Sequence, residues 1–340
     1  MKITIVGCGA IGGVISGGII EHNPVVVSKN NEILNAIKKN GLKVKLPDGK
    51  ESITWPEIFS SIEKTKMRFD VVFVCTKANS VFDVVTDFVG FLTERGFFVT
   101  FQNGIVEGKL KDVLPQGKLV GAIVGFGATM HAPGVVEMTS KGEIVIGELD
   151  GKVTERVQVL KSILNNVIET RITTNIWGAK YSKLLINACI TTMGAVSGLT
   201  LGKMLSYPQF RAIFRRILYE GVEVAKRKGI KLEKISGVSI HKLAASQREV
   251  ENKLCLSKYY KDFIIKIIGR KYRNLKSSSL QSLERGRKTE VDFINGIIVK
   301  YGREVGFATP VNERIVSIVH EIEGGKRDIS IENLRELISL

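Results

Sequence analysis

The sequence of 340 residues is short of paired cysteines, of acidic residues to match its basic ones, and of long apolar runs. Its four cysteines, Cys8, Cys75, Cys189 and Cys255, stand far apart with no C-x-x-C spacing, which argues against a disulfide framework and a zinc site alike. The histidines, His22, His131, His241 and His320, are equally scattered, so no resident metal is expected. No stretch approaches the ~20 uninterrupted apolar residues of a membrane-spanning helix. The first residues also lack the charged, apolar and small-residue regions of a signal peptide, so a cytoplasmic location is the default expectation. Against 50 lysines and arginines there are only 34 acids, a formal net charge of +16. Nucleic acid, an anionic membrane, or a small anionic substrate with a phosphate-rich cofactor would each be attracted by that excess. Much of it lies between Lys253 and Lys276, where Lys258, Lys261, Lys266, Arg270, Lys271 and Arg273 are opposed only by Asp262. A solvated face of a lysine-rich chain accounts for this run as well as a binding patch does.

What is present reads as a globular protein of two domains. Hydrophobic residues make up 44% and charged residues 25%, and the length exceeds what one core usually organises. Lys2 to Val6 is a short β-branched run that empties into Gly7-Cys8-Gly9-Ala10-Ile11-Gly12-Gly13, followed by the helix-compatible Val14 to Glu21. Strand, Gly-x-Gly-x-x-Gly turn and helix start stand in the order of a dinucleotide-binding fingerprint. Gly7 allows the tight turn, Gly9 lets a pyrophosphate approach the backbone, and Gly12 packs helix on strand.

Val25 to Val27 reads as the second strand, followed by Ser28-Lys29-Asn30-Asn31. An NAD-selective site usually places an acid here for the ribose hydroxyls. The first acid is Glu32, with Lys29 closer to the strand end, which favours NADP. Asp70 to Cys75 is an apolar strand of the kind buried in parallel sheets, with Thr76-Lys77-Ala78 at its carboxyl end. Lys77 is therefore placed to meet cofactor or substrate anions. Phe97 to Phe101 ends in Gln102-Asn103-Gly104, where Asn-Gly alone would be an ordinary turn. Strand signal continues through Leu119–Phe126, Gly134–Met138 and Glu143–Ile146, and a helical period through Val153–Val167.

Near Glu169 the alternation stops and helical patterns take over, so an α/β domain at 1–169 and an all-α domain at 170–340 are expected. Lys183 and Asn187 lie four apart within the apolar run Leu184-Leu185-Ile186 and Ala188, on one face of a helix. Desolvation there would lower the lysine's pKa toward general-acid use, while a lysine that snorkels to solvent explains the pattern equally well. Further helices are expected at Phe210–Lys228, Ile240–Leu254, Lys258–Ile268 and Val311–Glu323. A cap cluster at Ser277-Ser278-Ser279 would start a long helix from Leu280 to about Tyr301. Glu290 and Asp292 within it also read as a solvated acidic face balanced by Arg287 and Lys288.

Taken together, these motifs resemble one family, the ketopantoate reductases (2-dehydropantoate 2-reductases). The matching segments are Gly7 to Gly12, Thr76-Lys77-Ala78, Gln102-Asn103-Gly104, Lys183-Leu184-x-x-Asn187, and Ser277-Ser278 through Gly286-Arg-Lys-Thr-Glu290-x-Asp292-x-x-Asn295-Gly296. The resemblance implies a Rossmann-type dinucleotide-binding domain followed by an all-α domain like the C-terminal domain of 6-phosphogluconate dehydrogenase. It also implies NADPH-dependent reduction of 2-dehydropantoate to (R)-pantoate. By position it makes Lys183 the general acid and Glu290 the carboxylate near the developing hydroxyl. Asn103 becomes the amide at the junction of nicotinamide and substrate, Asn187 a substrate-binding amide, Ser278 a substrate-binding serine, and Lys77 a lysine near the cofactor. Gly7, Cys8, Gly9, Ala10, Ile11, Gly12 and Lys29 complete the cofactor set, and Thr191 stands where a second substrate-binding amide is often found.

The chain departs from the family pattern at Ser279, Ser282, Thr191 and Tyr181, where methionine, aspartate, an amide and tryptophan are common. These departures spare Lys183 and Glu290 and bear on which acid is reduced. On a straight helix Ser278 and Glu290 would be about 18 Å apart, which makes the serine the less secure of the two. A small anionic 2-oxo acid is the expected partner, with no nucleic acid or membrane and with possible homodimer contacts through the helical domain. The alternatives are a relative that reduces another 2-oxo or β-keto acid, and a non-catalytic basic protein that binds nucleotide or nucleic acid. The second would be indifferent to loss of Lys183.

Overall fold

In a computed structural model, which describes residues 1–234, 239–251 and 256–340, the N-terminal β-branched run forms β1 (Ile3–Val6) with all four residues buried. The other strands are β2 (Val25–Val27), β3 (Leu42–Lys45), β4 (Glu51–Thr54), β5 (Glu57–Phe59), β6 (Phe69–Val74), β7 (Leu92–Thr100), β8 (Leu119–Val124), β9 (Gly127–Ala132), β10 (Val135–Ser140), β11 (Ile144–Glu148) and β12 (Thr170–Ile172). Eight of them form one sheet in the order β12-β11-β8-β7-β6-β1-β2-β5. From β5 to β8 every pairing is parallel, and the order outward from β1 reverses between β1 and β6. That reversal is the topological switch point of a doubly wound fold, where ligands bind at strand carboxyl ends.

The helices of this unit are α1 (Ala10–Gly18), α2 (Asn31–Asn40), α3 (Val81–Phe88), α4 (Glu107–Leu110) and α5 (Glu155–Leu164). Asn30 shows why α2 starts where it does: its side chain accepts from the backbone N–H of Glu32 at 2.9 Å and of Ile33 at 3.2 Å, and Gly41 ends the helix at φ +75. A second sheet, β4-β3-β10-β9, packs on α1. Contact is close because the helix presents glycine: a Cβ on Gly13 would stand 2.9 Å from Val136, and one on Gly17 2.5 Å from Val44. The helix that follows the glycine turn is thus held between two sheets.

The chain divides into one unit of residues 1–102 and 106–177 and another of 103–105 and 178–340. This corrects the expected boundary at 169, because β12 pairs in parallel with β11, Ile144 opposite Thr170, and belongs to the first sheet.

The second unit is built around α6 (Ile176–Ser197), whose Leu184, Leu185, Ala188, Cys189, Met193 and Val196 are fully buried. Around it stand α7 (Leu201–Ser206), α8 (Pro208–Arg227), α9 (Gln247–Val250), α10 (Ser257–Lys271), α11 (Ser278–Glu284), α12 (Asn295–Glu304), α13 (Pro310–Glu323) and α14 (Glu332–Glu336). The helix expected over 240–254 is instead a 3-10 turn at Ile240–Lys242 and the short α9, and residues 252–255, with Lys253 and Cys255, lie outside the described residues. The long helix expected from Leu280 to Tyr301 is also corrected. It ends at Glu284, Gly286 takes φ +62, Arg287 donates back to the Ser282 carbonyl at 2.9 Å, and α12 starts afresh at Asn295.

The basic run is partly internal. Lys261 is buried and donates to Glu249 at 2.6 Å, Arg215 reaches the same carboxylate at 3.1 Å, and Asp262 pairs with Arg215 and Arg211. These pairs cross-link α8, α9 and α10. No helix among the described residues is long and apolar enough to cross a membrane.

Candidate functional site

In the first unit the glycine turn is shaped by contacts that only glycine allows. Gly7 sits at φ +92, with Thr76 2.8 Å from where a Cβ would be. A Cβ on Gly12 would stand 1.9 Å from the Gly7 carbonyl oxygen, so helix and turn are in direct contact. Gly9 has nothing within 4 Å of the same position. Gly7 and Gly12 are therefore required by the protein, whereas the space over Gly9 is left open. Gly9 is the N-cap of α1, which has no acid in its first turn, so its unpaired N–H groups and positive dipole end suit a phosphate. Cys8, Ala10 and Ile11 complete the turn, and burial pushes the Cys8 thiol up to about 12, which makes it an inert part of the wall.

Beside this turn, Gln102 at the end of β7 donates its amide to the carbonyls of Val74 and Thr76, each at 2.8 Å, and fixes the loop after β6. Gln102 Oε1 and Thr76 Oγ1 are buried acceptors with no partner among the described residues. Open space over Gly9 and two orphaned oxygens at the switch point fit the polar groups of a dinucleotide. Lys77, in the same loop, is exposed. At the end of β2 no acid follows Val27, and Lys29 is exposed with its ammonium 3.5 Å from Asp87.

In the second unit, Lys183, Asn187 and Thr191 succeed one another at one-turn intervals along α6. Lys183 is half-buried, and desolvation lowers its pKa from the ordinary lysine value. Asn187, 7% exposed, donates its amide to Asn103 Oδ1 at 3.0 Å. The Asn103-Gly104 pair is more than a turn: Gly104 holds φ +82, and a Cβ there would fall 2.1 Å from the Phe293 carbonyl oxygen. Asn103 is thereby seated on the 3-10 turn Val291–Phe293 that follows Glu290. The structure thus brings Asn103, Asn187 and the Glu290 segment together, with Lys183 one turn from Asn187. It shows no ion pair between Lys183 and Glu290 among the described residues.

Thr289, the residue before Glu290, is fixed by its N–H and hydroxyl, which both donate to Glu323 Oε1, at 2.7 and 2.8 Å. Ser278 is exposed at the start of α11. Its neighbour Ser277 is the buried cap, accepting from Leu280 N–H at 3.1 Å and donating to the Thr191 carbonyl at 3.0 Å. The Thr191 hydroxyl is spent on the Asn187 carbonyl at 2.8 Å, and the Ser282 hydroxyl on the Ser278 carbonyl at 3.0 Å. Because the chain turns at Gly286, straight-helix spacing does not govern the separation of Ser278 and Glu290.

Sequence reasoning missed the buttress behind these groups. Glu220 accepts from the N–H groups of Val311 and Asn312 at 2.9 and 3.0 Å and from the Asn312 amide at 2.6 Å. Asn312 Oδ1 accepts from Asn295 at 2.9 Å, and Asn295 also donates to the Ala188 carbonyl at 3.3 Å, next to Asn187. Burial raises the Glu220 pKa although three donors oppose the shift. The available signal was a set of polar residues embedded in apolar helix patterns.

The chain matches the family model described as ketopantoate reductase PanE/ApbA over residues 3–151 and the corresponding C-terminal model over residues 175–323. It belongs to the ketopantoate reductase family. Members of that family are oxidoreductases with a Rossmann-type fold, and curated relatives match along their whole length. A 2-dehydropantoate 2-reductase of Pyrococcus horikoshii is 28% identical over 94% of this chain and 96% of that protein. One of Archaeoglobus fulgidus is 26% identical over 95% and 98%. Among solved structures, a PanE/ApbA family ketopantoate reductase from Ralstonia eutropha JMP134 superposes with a TM-score of 0.80 at 22% identity, over 96% of this chain and 100% of that one. The ternary structure of D-mandelate dehydrogenase with NADH and anilino(oxo)acetate also reaches 0.80, at 20% identity over 96% and 99%.

Proposed function

We propose that the protein reduces 2-dehydropantoate with NADPH: 2-dehydropantoate + NADPH + H⁺ → (R)-pantoate + NADP⁺. The observation that carries this reading is the half-buried Lys183, its pKa lowered by burial, one turn from an Asn187 already tied to Asn103. Bound at the glycine turn, NADPH would supply the hydride. As negative charge builds on the carbonyl oxygen, the Lys183 ammonium donates its proton there, and the partial desolvation of the site strengthens that interaction. Glu290 accepts a hydrogen bond from the developing hydroxyl, and the amides of Asn103 and Asn187 orient the substrate. Ser278 contributes a hydroxyl for the far end of the acid, and Thr191 lines the substrate side one turn beyond Asn187. Gly7, Cys8, Gly9, Ala10, Ile11 and Gly12 hold the pyrophosphate, Lys29 the 2′-phosphate, and Lys77 neighbouring cofactor charge.

NADP is preferred in this reading because no acid stands between β2 and Glu32, and Lys29 lies closer to the strand end. D-mandelate dehydrogenase, of the same fold, was solved with NADH, so the preference is assigned from this chain's own residues.

A second reading, reduction of a different 2-oxo acid, is favoured by Thr191 and Ser282, whose hydroxyls are both consumed by their own helices. One screen tests both: NADPH absorbance is followed with 2-dehydropantoate against a panel of 2-oxo acids. The highest kcat/KM for 2-dehydropantoate is expected; a higher value for another acid selects the second reading, and no oxidation with any of them rejects both.

A further inference from the structure

Glu290 follows closely on an exposed stretch of chain. Residues 284–288 all face solvent, yet Thr289 and Val291, on either side of Glu290, are buried, at 5 and 1% exposure. What arrests the backbone at this point is an acid 34 residues further along, since Glu323 Oε1 accepts both the N–H and the hydroxyl of Thr289. The same hydroxyl accepts from the Val291 N–H at 3.2 Å, so the backbone before and after Glu290 is tied into one cluster. The Glu290 carbonyl in turn accepts from the Phe293 N–H at 3.0 Å.

Glu323 stands where a helix disfavours an acid. It is the last residue of α13, at the end where unsatisfied carbonyls concentrate negative charge. Glu321, in the same turn, is neutralised by Arg314 and Arg327, whereas Glu323 directs its oxygen to Thr289. An acid that breaks a local rule and makes its bonds to the segment carrying Glu290 has a functional reason for its position.

We propose that Glu323 is a positioning residue for Glu290: through Thr289 it fixes the backbone from which that carboxylate reaches the developing hydroxyl. The inference rests on the role given to Glu290 under the proposed reaction. Magnitudes favour Glu323 over the other contact that α13 makes with this turn. His320 Nε2 lies 3.0 Å from Asp292 Oδ1, but those side chains are 46 and 65% exposed, and exposed pairs contribute little. The Glu323 bonds end on a buried threonine, and hydrogen bonds to an ionised acceptor are roughly twice as strong as neutral ones.

The test compares Glu323→Ala, the milder Glu323→Gln and Thr289→Val in the full chain, by kinetics and by amide hydrogen exchange. With the 2-oxo acid that the screen selects, Glu323→Ala should lower kcat about 10-fold, within the range that misplacement of a reacting group produces, and leave NADPH affinity unchanged. Glu323→Gln keeps an acceptor oxygen and should restore most of that loss. In a Glu290→Ala background the effect of Glu323→Ala should vanish, because a residue that acts through another adds nothing once the other is gone. Exchange protection over residues 289–293 should fall about 10-fold in Glu323→Ala and in Thr289→Val, and hold in Glu290→Ala. Thr289→Val, nearly isosteric, carries the same expectations should Glu323→Ala fail to fold. A kinetic loss that persists in full in the Glu290→Ala background, or unchanged exchange over 289–293, overturns the proposal. A wild type that oxidises NADPH with no 2-oxo acid, together with the expected exchange pattern, supports the clamp and rejects the reaction, so the two failures are told apart.

Discussion

Asn187 donates its side-chain amide to Asn103 Oδ1 across 3.0 Å, joining the middle of α6 to the segment that leaves β7. Gly104 continues that segment onto the Phe293 carbonyl, so one hydrogen bond and one close backbone contact hold Asn103, Asn187 and the Glu290 turn in register. In the proposed reaction a group of amides fixed in this way would present the substrate with prearranged partners, and the chemistry would turn on the lysine beside it.

Replacing Lys183 by alanine should lower kcat at least ~100-fold, the usual scale of general-acid loss. Dinucleotide affinity, measured by fluorescence titration, should be unchanged. Near-wild-type turnover would remove Lys183 from the mechanism.

The pH profile follows from the same group. Burial lowers the Lys183 pKa, and a general acid must be protonated to act, so kcat/KM should be flat at low pH and fall as pH rises through a value below the ordinary ~10.4 of lysine. The falling limb should be missing from the residual activity of Lys183→Ala. A limb that persists in that variant belongs to another group.

The glycines separate binding from folding. Gly9→Ala places a methyl group in open space, so its melting temperature should match the wild type while NADPH binding is lost. Gly12→Ala drives a Cβ to 1.9 Å from the Gly7 carbonyl oxygen and should destabilise the fold itself. Equal effects of the two on melting would contradict this division.

Cofactor choice should respond to Lys29 and its neighbour. Lys29→Ala is expected to lower kcat/KM for NADPH about 10-fold or more, the range of a hydrogen bond to a charged group, and to spare NADH. Asp87→Ala removes the acid 3.5 Å from that ammonium and should move NADPH modestly the other way, since exposed pairs are worth little. Parallel changes for both cofactors would rule out a role for Lys29 at the 2′-phosphate.

Glu220→Ala should cost about 3 kcal/mol in urea unfolding, because it leaves two buried N–H groups and an amide without an acceptor. A loss below about 1 kcal/mol would show that the network is not load-carrying.

The parts of this molecule legible in the sequence are those whose physics is local. A β-branched strand emptying into Gly7-x-Gly9-x-x-Gly12 specifies strand, turn and helix start within a dozen residues. Lys183 and Asn187 at i and i+4 share a face wherever the helix happens to lie. The missed parts depend on partners far along the chain. β3 is only Leu-Lys-Val-Lys, and it becomes a strand by pairing with β10, which begins at Val135. Residues 280–301 read as one helix because Gly286 alone interrupts the pattern, yet Thr289 is drawn to Glu323, and that distant carboxylate helps set where the chain turns. The domain boundary moved for the same reason, since Thr170–Ile172 acquires its strand character from β11.

The clamping of α1 between two sheets by Gly13 and Gly17 has a thermodynamic consequence for the ligand. Ordering a loop residue costs roughly 1–2 kcal/mol, and here that entropy is surrendered during folding, before any dinucleotide arrives. By packing on Gly13 and Gly17, Val136 and Val44 would then help determine how much of a dinucleotide's intrinsic attraction for the helix end survives as affinity.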